Sequence, residues 1–318
     1  MRRLLCLSFT AVLLLPACAV IRLPGGAPAE PREVTVLGEG AAKVLLLVDI
    51  SGFLSFRPPR GLPGFFEPES LPARVRADLD RARKDPQVKA LLVRIDSPGG
   101  TVGASDVLHR EIRRFRQDRG LPAVAVLVEK GLSGGYYAAL AADEIVALPA
   151  ALVGSVGVFV AKFDASALLD RWGVRSEVTR SGPQKDILSP LRPLTAEDQA
   201  TLDGIVGEFQ GRFLDAVRGA RPGATEADLQ AMATGAPFTA RRALELHMID
   251  RVGYLDDAFR RALELAGLAE GRLVAYRRGP APRLNPYSLA ALAAGLEAGP
   301  LLLDPGAAEE FFQGELRY

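Results

Sequence analysis

From Val44 to Ile50 the chain is an almost unbroken apolar run, too short for an ordinary helix and too continuous for a strand with one wet face. The pattern predicts a strand buried on both sides. Val88 to Ile95 and Ala123 to Val128 repeat it. Between those two runs the period changes, and Val107, Leu108, Ile112 and Phe115 share one face of a helix expected over Ala104 to Gln117. A helix over Leu71 to Lys84 precedes this unit, and Tyr136 to Ala142 reads as a helix after it. Short strands are expected at Ile145 to Leu148, Val156 to Val160 and Arg175 to Val178, with a helix over Ala165 to Trp172.

A long helix then runs to Ala220, with Thr195 as its N-cap and Asp198 three residues on in place of the usual Glu. Helices at Thr225 to Thr234, Ala240 to Leu246 and Asp256 to Ala266 lead to a last strand near Leu273 to Tyr276. Alternating strands and helices predict an α/β domain with largely parallel strands over 43–277. No internal repeat interrupts it.

The two ends have a different character. Arg2 and Arg3 precede an apolar run from Leu4 to Leu15 that closes on Pro16-Ala17-Cys18, so residues 1–18 read as a targeting segment. Leu15-Pro16-Ala17-Cys18 resembles a bacterial lipobox, which makes Cys18 the expected lipidation site and first mature residue. An ordinary cleaved signal and a short uncleaved anchor are the other readings; the run is short for a membrane span. The expected location is the bacterial cell envelope, outside the cytoplasm. Residues 19–42, rich in Pro, Gly, Ala and Glu, read as a flexible tether. In the tail, 278–318, a helix is expected near Ser288 to Glu297. Its Leu301-Leu302-Leu303 and Phe311-Phe312 are expected against a neighbouring subunit or a substrate groove.

Composition narrows the function classes. The chain has 318 residues, 48% of them hydrophobic, enough for a large core, and a net charge of +1 that offers no general attraction to nucleic acid. Its only cysteines, Cys6 and Cys18, lie in the leader, which leaves the domain without disulfides, thiolate metal sites or a cysteine nucleophile. No cofactor or metal is expected.

One hydroxyl stands out. Ser133, in Ser133-Gly134-Gly135-Tyr136-Tyr137, lies among glycines where a strand gives way to a helix. It reads either as an ordinary N-cap or as a nucleophile whose flanking glycines admit a substrate carbonyl to free backbone N–H groups. A nucleophilic serine needs a base. His109 lies in a helix among arginines and His247 ends one, so a Ser-His-Asp triad would require one of them to fold back against Ser133. Lysine is scarce: of 39 Lys plus Arg, the lysines are Lys43, Lys84, Lys89, Lys130, Lys162 and Lys185. Lys185 lies in a Gly/Pro loop, where desolvation would favour the neutral amine that a base requires. Asp186 beside it would oppose this unless its carboxylate is turned away. Lys130 is the competing base, close to Ser133 in sequence.

Several motifs in order resemble the short-chain signal peptide peptidases of the S49 serine peptidase family. They are Arg94-Ile95-Asp96-Ser97-Pro98-Gly99-Gly100, Ser133-Gly134-Gly135-Tyr136-Tyr137 with Ala141-Ala142-Asp143, Gly154-Ser155-Val156-Gly157-Val158, Lys185-Asp186 with Ser189-Pro190, and the segment around Asp250 to Asp257. The resemblance covers about Val44 to Tyr276. It implies Ser133 as nucleophile, Lys185 as general base, Ser155 as the hydroxyl that orients the lysine, and the backbone N–H groups of Gly134 and Gly100 as the oxyanion hole. It also implies a crotonase/ClpP-like spiral of β-β-α units with added C-terminal helices, and a homo-oligomeric ring in which serine and lysine can come from neighbouring subunits. The implied partners are released signal peptides, other small or unfolded peptides, and the membrane through the N-terminal anchor. Phe53 to Phe66 would line the entrance or simply pack on the domain.

The pattern departs from the family at Glu129-Lys130-Gly131-Leu132, at Asp96 in place of the commoner Asn, and at Leu188 in place of the commoner Gly. Two other classes remain open: an inactive lipoprotein of the same fold that binds peptides or acts as a scaffold, and an acyl-CoA enzyme, which an export signal disfavours.

Overall fold

The computed structural model describes residues 31–40, 43–58 and 69–277. The leader with Cys18, the C-terminal tail with its apolar clusters, and part of the Phe53 to Phe66 stretch lie outside the described residues.

In chain order the elements are β1 (Arg32–Leu37), β2 (Lys43–Ser51), α1 (Leu71–Arg83), β3 (Val88–Ser97), α2 (Val102–Arg119), β4 (Ala123–Leu132), α3 (Gly134–Ala139), β5 (Glu144–Ala147) and β6 (Leu152–Gly154). Beyond them lie α4 (Ser166–Arg171), α5 (Ala196–Ala220), α6 (Glu226–Met232), β7 (Pro237–Thr239), α7 (Ala240–Glu245), β8 (Arg251–Val252), α8 (Leu255–Leu265) and β9 (Arg272–Arg277). The strands form one sheet in the order β1-β9-β2-β3-β4-β5-β8, with β6 joined to β4 and β7. Its pairings are parallel except β1 with β9 and β6 with β7. The fold is therefore α/β with a largely parallel sheet.

Successive strand residues face opposite sides, so the apolar runs feed two cores at once. Leu91, Val93 and Ile95 of β3, with Ala125 and Leu127 of β4, pack beneath α1, α2 and α3 against Leu79, Leu108, Phe115 and Tyr136. Ala90, Leu92, Val124 and Val126 point the other way, onto Leu255, Phe259 and Leu263 of α8. Each large apolar side chain buried in this way contributes about 1.5–3 kcal/mol. Helix ends obey their sequence signals: Thr195 and Asp198 form a reciprocal capping box, and Gly120 ends α2 at φ 60°.

The structure differs from the sequence expectation in three places. Residues 32–37, expected to belong to the tether, form β1 antiparallel to β9, with Val34 and Val36 on the α8 side. Two valines spaced for a strand were outweighed by the Pro/Gly composition around them. Val156 to Val160 is not a strand, because Ser155 turns to φ 52° immediately after β6 and the Val156 carbonyl accepts from the Gln210 side chain instead. Arg175 to Val178 is exposed, irregular chain with no strand beside it among the described residues.

Candidate active site

β4 carries the pivotal serine, and it does so through an irregularity. Its pairing with β3 runs from Ile95↔Leu127 directly to Ser97↔Gly131, which leaves three β4 residues opposite one of β3. Such a bulge bends the end of a strand and re-aims the residues beyond it. Asp96 secures it by accepting from the Lys130 backbone N–H at 3.2 Å. The departures from the family pattern at 129–132 and at Asp96 thus sit together on one bulge.

Ser133 comes directly after β4 at φ 51°, ψ −121°, a conformation few residues other than glycine adopt. It occupies the N-cap position of α3, yet its hydroxyl makes no capping bond. Ser70, Thr101, Thr195, Thr225 and Thr239 cap their helices in the ordinary way, at φ between −61° and −83°, and each accepts from the backbone. The capping alternative for Ser133 is therefore set aside. A buried serine on a strained strand-to-helix turn with a free hydroxyl has the geometry of a nucleophile elbow.

The corner is held from three sides. The Ser133 N–H donates to the Gly154 carbonyl at 2.6 Å, and Leu132 pairs with Gly154, so Ser133 and Ser155 leave adjacent strands at the same level. Ser155, also at positive φ, is fixed by its N–H donating to the Ala236 carbonyl at 3.0 Å. On the opposite side the Ser97-Pro98-Gly99-Gly100 loop is pinned by Ser97 Oγ, which donates to the Gly52 carbonyl and accepts from the Gly99 N–H. Leu54 and Gly100 form a parallel bridge there.

Close approach explains the glycines. A Cβ on Gly134 would fall on Ser105 Oγ and lie 3.4 Å from the Gly100 nitrogen, and one on Gly100 would fall on the Leu54 backbone. The nitrogens of Gly134 and Gly100 are thus neighbours beside Ser133, and among the described residues neither N–H has a hydrogen-bond acceptor. Two unused donors close together next to a free hydroxyl suit the oxyanion of an acyl-transfer intermediate.

The candidate bases separate clearly. Lys130 pairs with Glu129 at 2.9 Å, and that hydrogen bond raises its pKa, so its amine stays charged. His109 packs against Tyr137, and burial, with Arg113 adding to it, depresses its pKa to about 4. His247 contacts Asp228. Neither histidine has a polar contact with Ser133. Lys185 is exposed on its loop, and among the described residues no hydrogen bond joins its amine to Ser133 or Ser155. Asp186, however, is turned away from it: Arg180 and Arg192 bind its two oxygens. The structure thus unites Ser133, Ser155, Gly134 and Gly100, with no hydrogen bond from Lys185 to Ser133 or Ser155 among the described residues.

Sequence reasoning missed Ser97 as the loop pin, Ser105 beneath Gly134, and the two arginines on Asp186. Their six-residue spacing on either side of Asp186 was the one legible hint for the last pair.

A model of peptidase family S49 matches residues 115–269, a stretch that contains Ser133, Ser155 and Lys185. A candidate protease of Synechocystis is 38% identical over 179 residues, 56% of this chain and 64% of that protein. A candidate protease of Methanocaldococcus jannaschii is 30% identical over 240 residues, 75% of each. A candidate signal peptide peptidase of Enterococcus faecium is 24% identical over 294 residues, 87% of this chain and 84% of that one. With the M. jannaschii protein matched over three quarters of its length and the family's own pattern spanning the serine corner, the chain belongs to peptidase family S49.

Proposed function

We propose that the protein is an exported, membrane-tethered serine endopeptidase that degrades released signal peptides and other small or unfolded peptides with a Ser133/Lys185 dyad. The observation that carries the reading is the strained Ser133, its hydroxyl unused by the helix it precedes and two free N–H groups beside it. Neutral Lys185 takes the proton as Ser133 Oγ attacks the scissile carbonyl. The oxyanion forms against the Gly134 and Gly100 N–H groups, and the protonated amine passes its proton to the leaving amine. Water then repeats the sequence on the acyl-serine and restores the free hydroxyl. Ser155, level with Ser133, orients the lysine.

Completion of the dyad is assigned to a second copy of the chain. The segment that carries Lys185 leaves Phe159, Leu168, Val174, Val178 and Trp172 exposed, the last at 75%. Cover by another subunit would hide them and could bring Lys185 to its neighbour's serine. In this reading a lone chain is inactive and the working form is a homo-oligomeric ring. The name of the E. faecium relative supports the signal-peptide substrate class, as do Phe53 and Phe56, exposed close to the Leu54–Gly100 bridge.

Export and tethering rest on residues 1–18; among the described residues no helix is long and apolar enough to cross a membrane. The second reading, an inactive peptide-binding or scaffold lipoprotein, is favoured by the lack of any hydrogen bond from Lys185 to Ser133 or Ser155 among the described residues. A synthetic signal peptide decides between them. The full chain should cleave it, and Ser133→Ala should lose about 10⁴-fold or more in rate while eluting at the same oligomeric size. Equal cleavage by both proteins, or by neither, would refute the proposal.

A further inference from the structure

The loop that holds Lys185 is organised around one guanidinium. Arg192 Nε donates to Asp186 Oδ1 at 3.0 Å, and Arg180 Nη1 donates to Asp186 Oδ2 at 2.6 Å. A second arm of Arg192 pairs with Asp198, which is 1% exposed and also caps α5 by accepting from the Thr195 N–H. The Arg192 carbonyl accepts from Lys162 Nζ at 2.6 Å, and Gln184, on the other side of Lys185, donates to Thr201 Oγ1 of α5 at 2.9 Å. The loop is thus tied to the first turns of a long helix, and Lys185 lies between the tied points.

We propose that Arg192 is a positioning residue for the general base. Together with Arg180 it occupies both oxygens of Asp186, so the carboxylate next in sequence cannot pair with the Lys185 amine, and it fixes the loop to α5. The inference rests on Lys185 being the base.

The electrostatics support it. The Arg192 hydrogen bond, with a smaller contribution from that of Arg180, holds the Asp186 carboxyl below the usual carboxylate range. Among the described residues, the charged groups tied to the Lys185 loop include Arg180, Asp186 and Arg192 from its own segment, Lys162 from the chain before α4, and Glu197 and Asp198 from the first turn of α5. Asp186 and Asp198 are both occupied by Arg192. Removing Arg192 frees a carboxylate next to the amine and deletes a nearby like charge, and both changes favour ammonium.

The readout is the acidic limb of the pH profile of kcat/KM for signal-peptide cleavage by the full chain, which reports the base in the free enzyme. Arg192→Gln should move that limb up by about one pH unit, with rates converging toward wild type at high pH. Adding Asp186→Asn should move the limb back toward its wild-type position, a rescue that a purely structural role would not produce. Arg180→Gln leaves the Asp198 cap intact and should shift the limb the same way by a smaller amount, which keeps the test decisive if Arg192→Gln folds poorly. An unmoved limb in the arginine variants, or a double variant shifted as far as Arg192→Gln alone, overturns the proposal. Lys185→Ala separates the two levels: if it remains active the base assignment fails, and if it is inactive while the limb stays fixed only the role of Arg192 fails.

Discussion

Lys185→Arg should be as inactive as Lys185→Ala, each with kcat lowered by about 10³-fold or more and little change in KM. Charge is not what the site asks of this residue. A guanidinium never deprotonates in a protein, so it cannot accept the Ser133 proton, whereas an amine can. The alternative amine is excluded by its pairing with Glu129, so Lys130 should not rescue either variant. If a second copy supplies Lys185, as proposed, the two kinds of inactive chain should complement each other. Dissociating and reassembling Ser133→Ala with Lys185→Ala should restore a measurable fraction of wild-type activity, since some junctions then unite an intact serine with an intact lysine. No recovery from mixed assemblies would place the dyad within a single subunit.

Gly134→Ala should cost at least about 100-fold in kcat while KM stays within a few-fold. The added methyl has no room, because it lands on Ser105 Oγ and close to the Gly100 nitrogen, so the start of α3 must shift. A displaced donor no longer meets the oxyanion, and losing one such donor costs about 3 kcal/mol in the transition state with little effect on ground-state binding. Overpacking adds about 1–3 kcal/mol of destabilisation, visible as a lower Tm. Ser105→Gly in the same chain removes the obstructing hydroxyl and should return part of the lost activity. If Gly134→Ala alone kept wild-type kcat, Gly134 could not be an oxyanion donor.

The sequence and the structure agree most where burial decides the outcome. β3 and β4 are packed on both faces, and their continuous apolar runs make them legible, as the spacing of Leu108, Ile112 and Phe115 does for α2. β1, β7 and β8 were missed because strands of six, three and two residues are defined by their pairing partners more than by their own pattern. Ser133 was legible as a hydroxyl at a glycine corner, but its positive φ was not. That strain is imposed by the Gly154 carbonyl and the Ser97–Gly100 loop, each distant in sequence. The same limit hid the arginine pair on Asp186, since the sequence raised the carboxylate as an objection but could not say where it points.

The central claim is that Ser133 is acylated during turnover and that Lys185 makes it reactive. Acid-quenching the full chain as it turns over an activated ester of a signal-peptide fragment, then locating the acyl group by mass spectrometry, tests this directly. The account predicts an acyl group on Ser133 in the wild type and none in Ser133→Ala or Lys185→Ala. An acyl group on another residue, or acylation of Lys185→Ala at the wild-type rate, would contradict it.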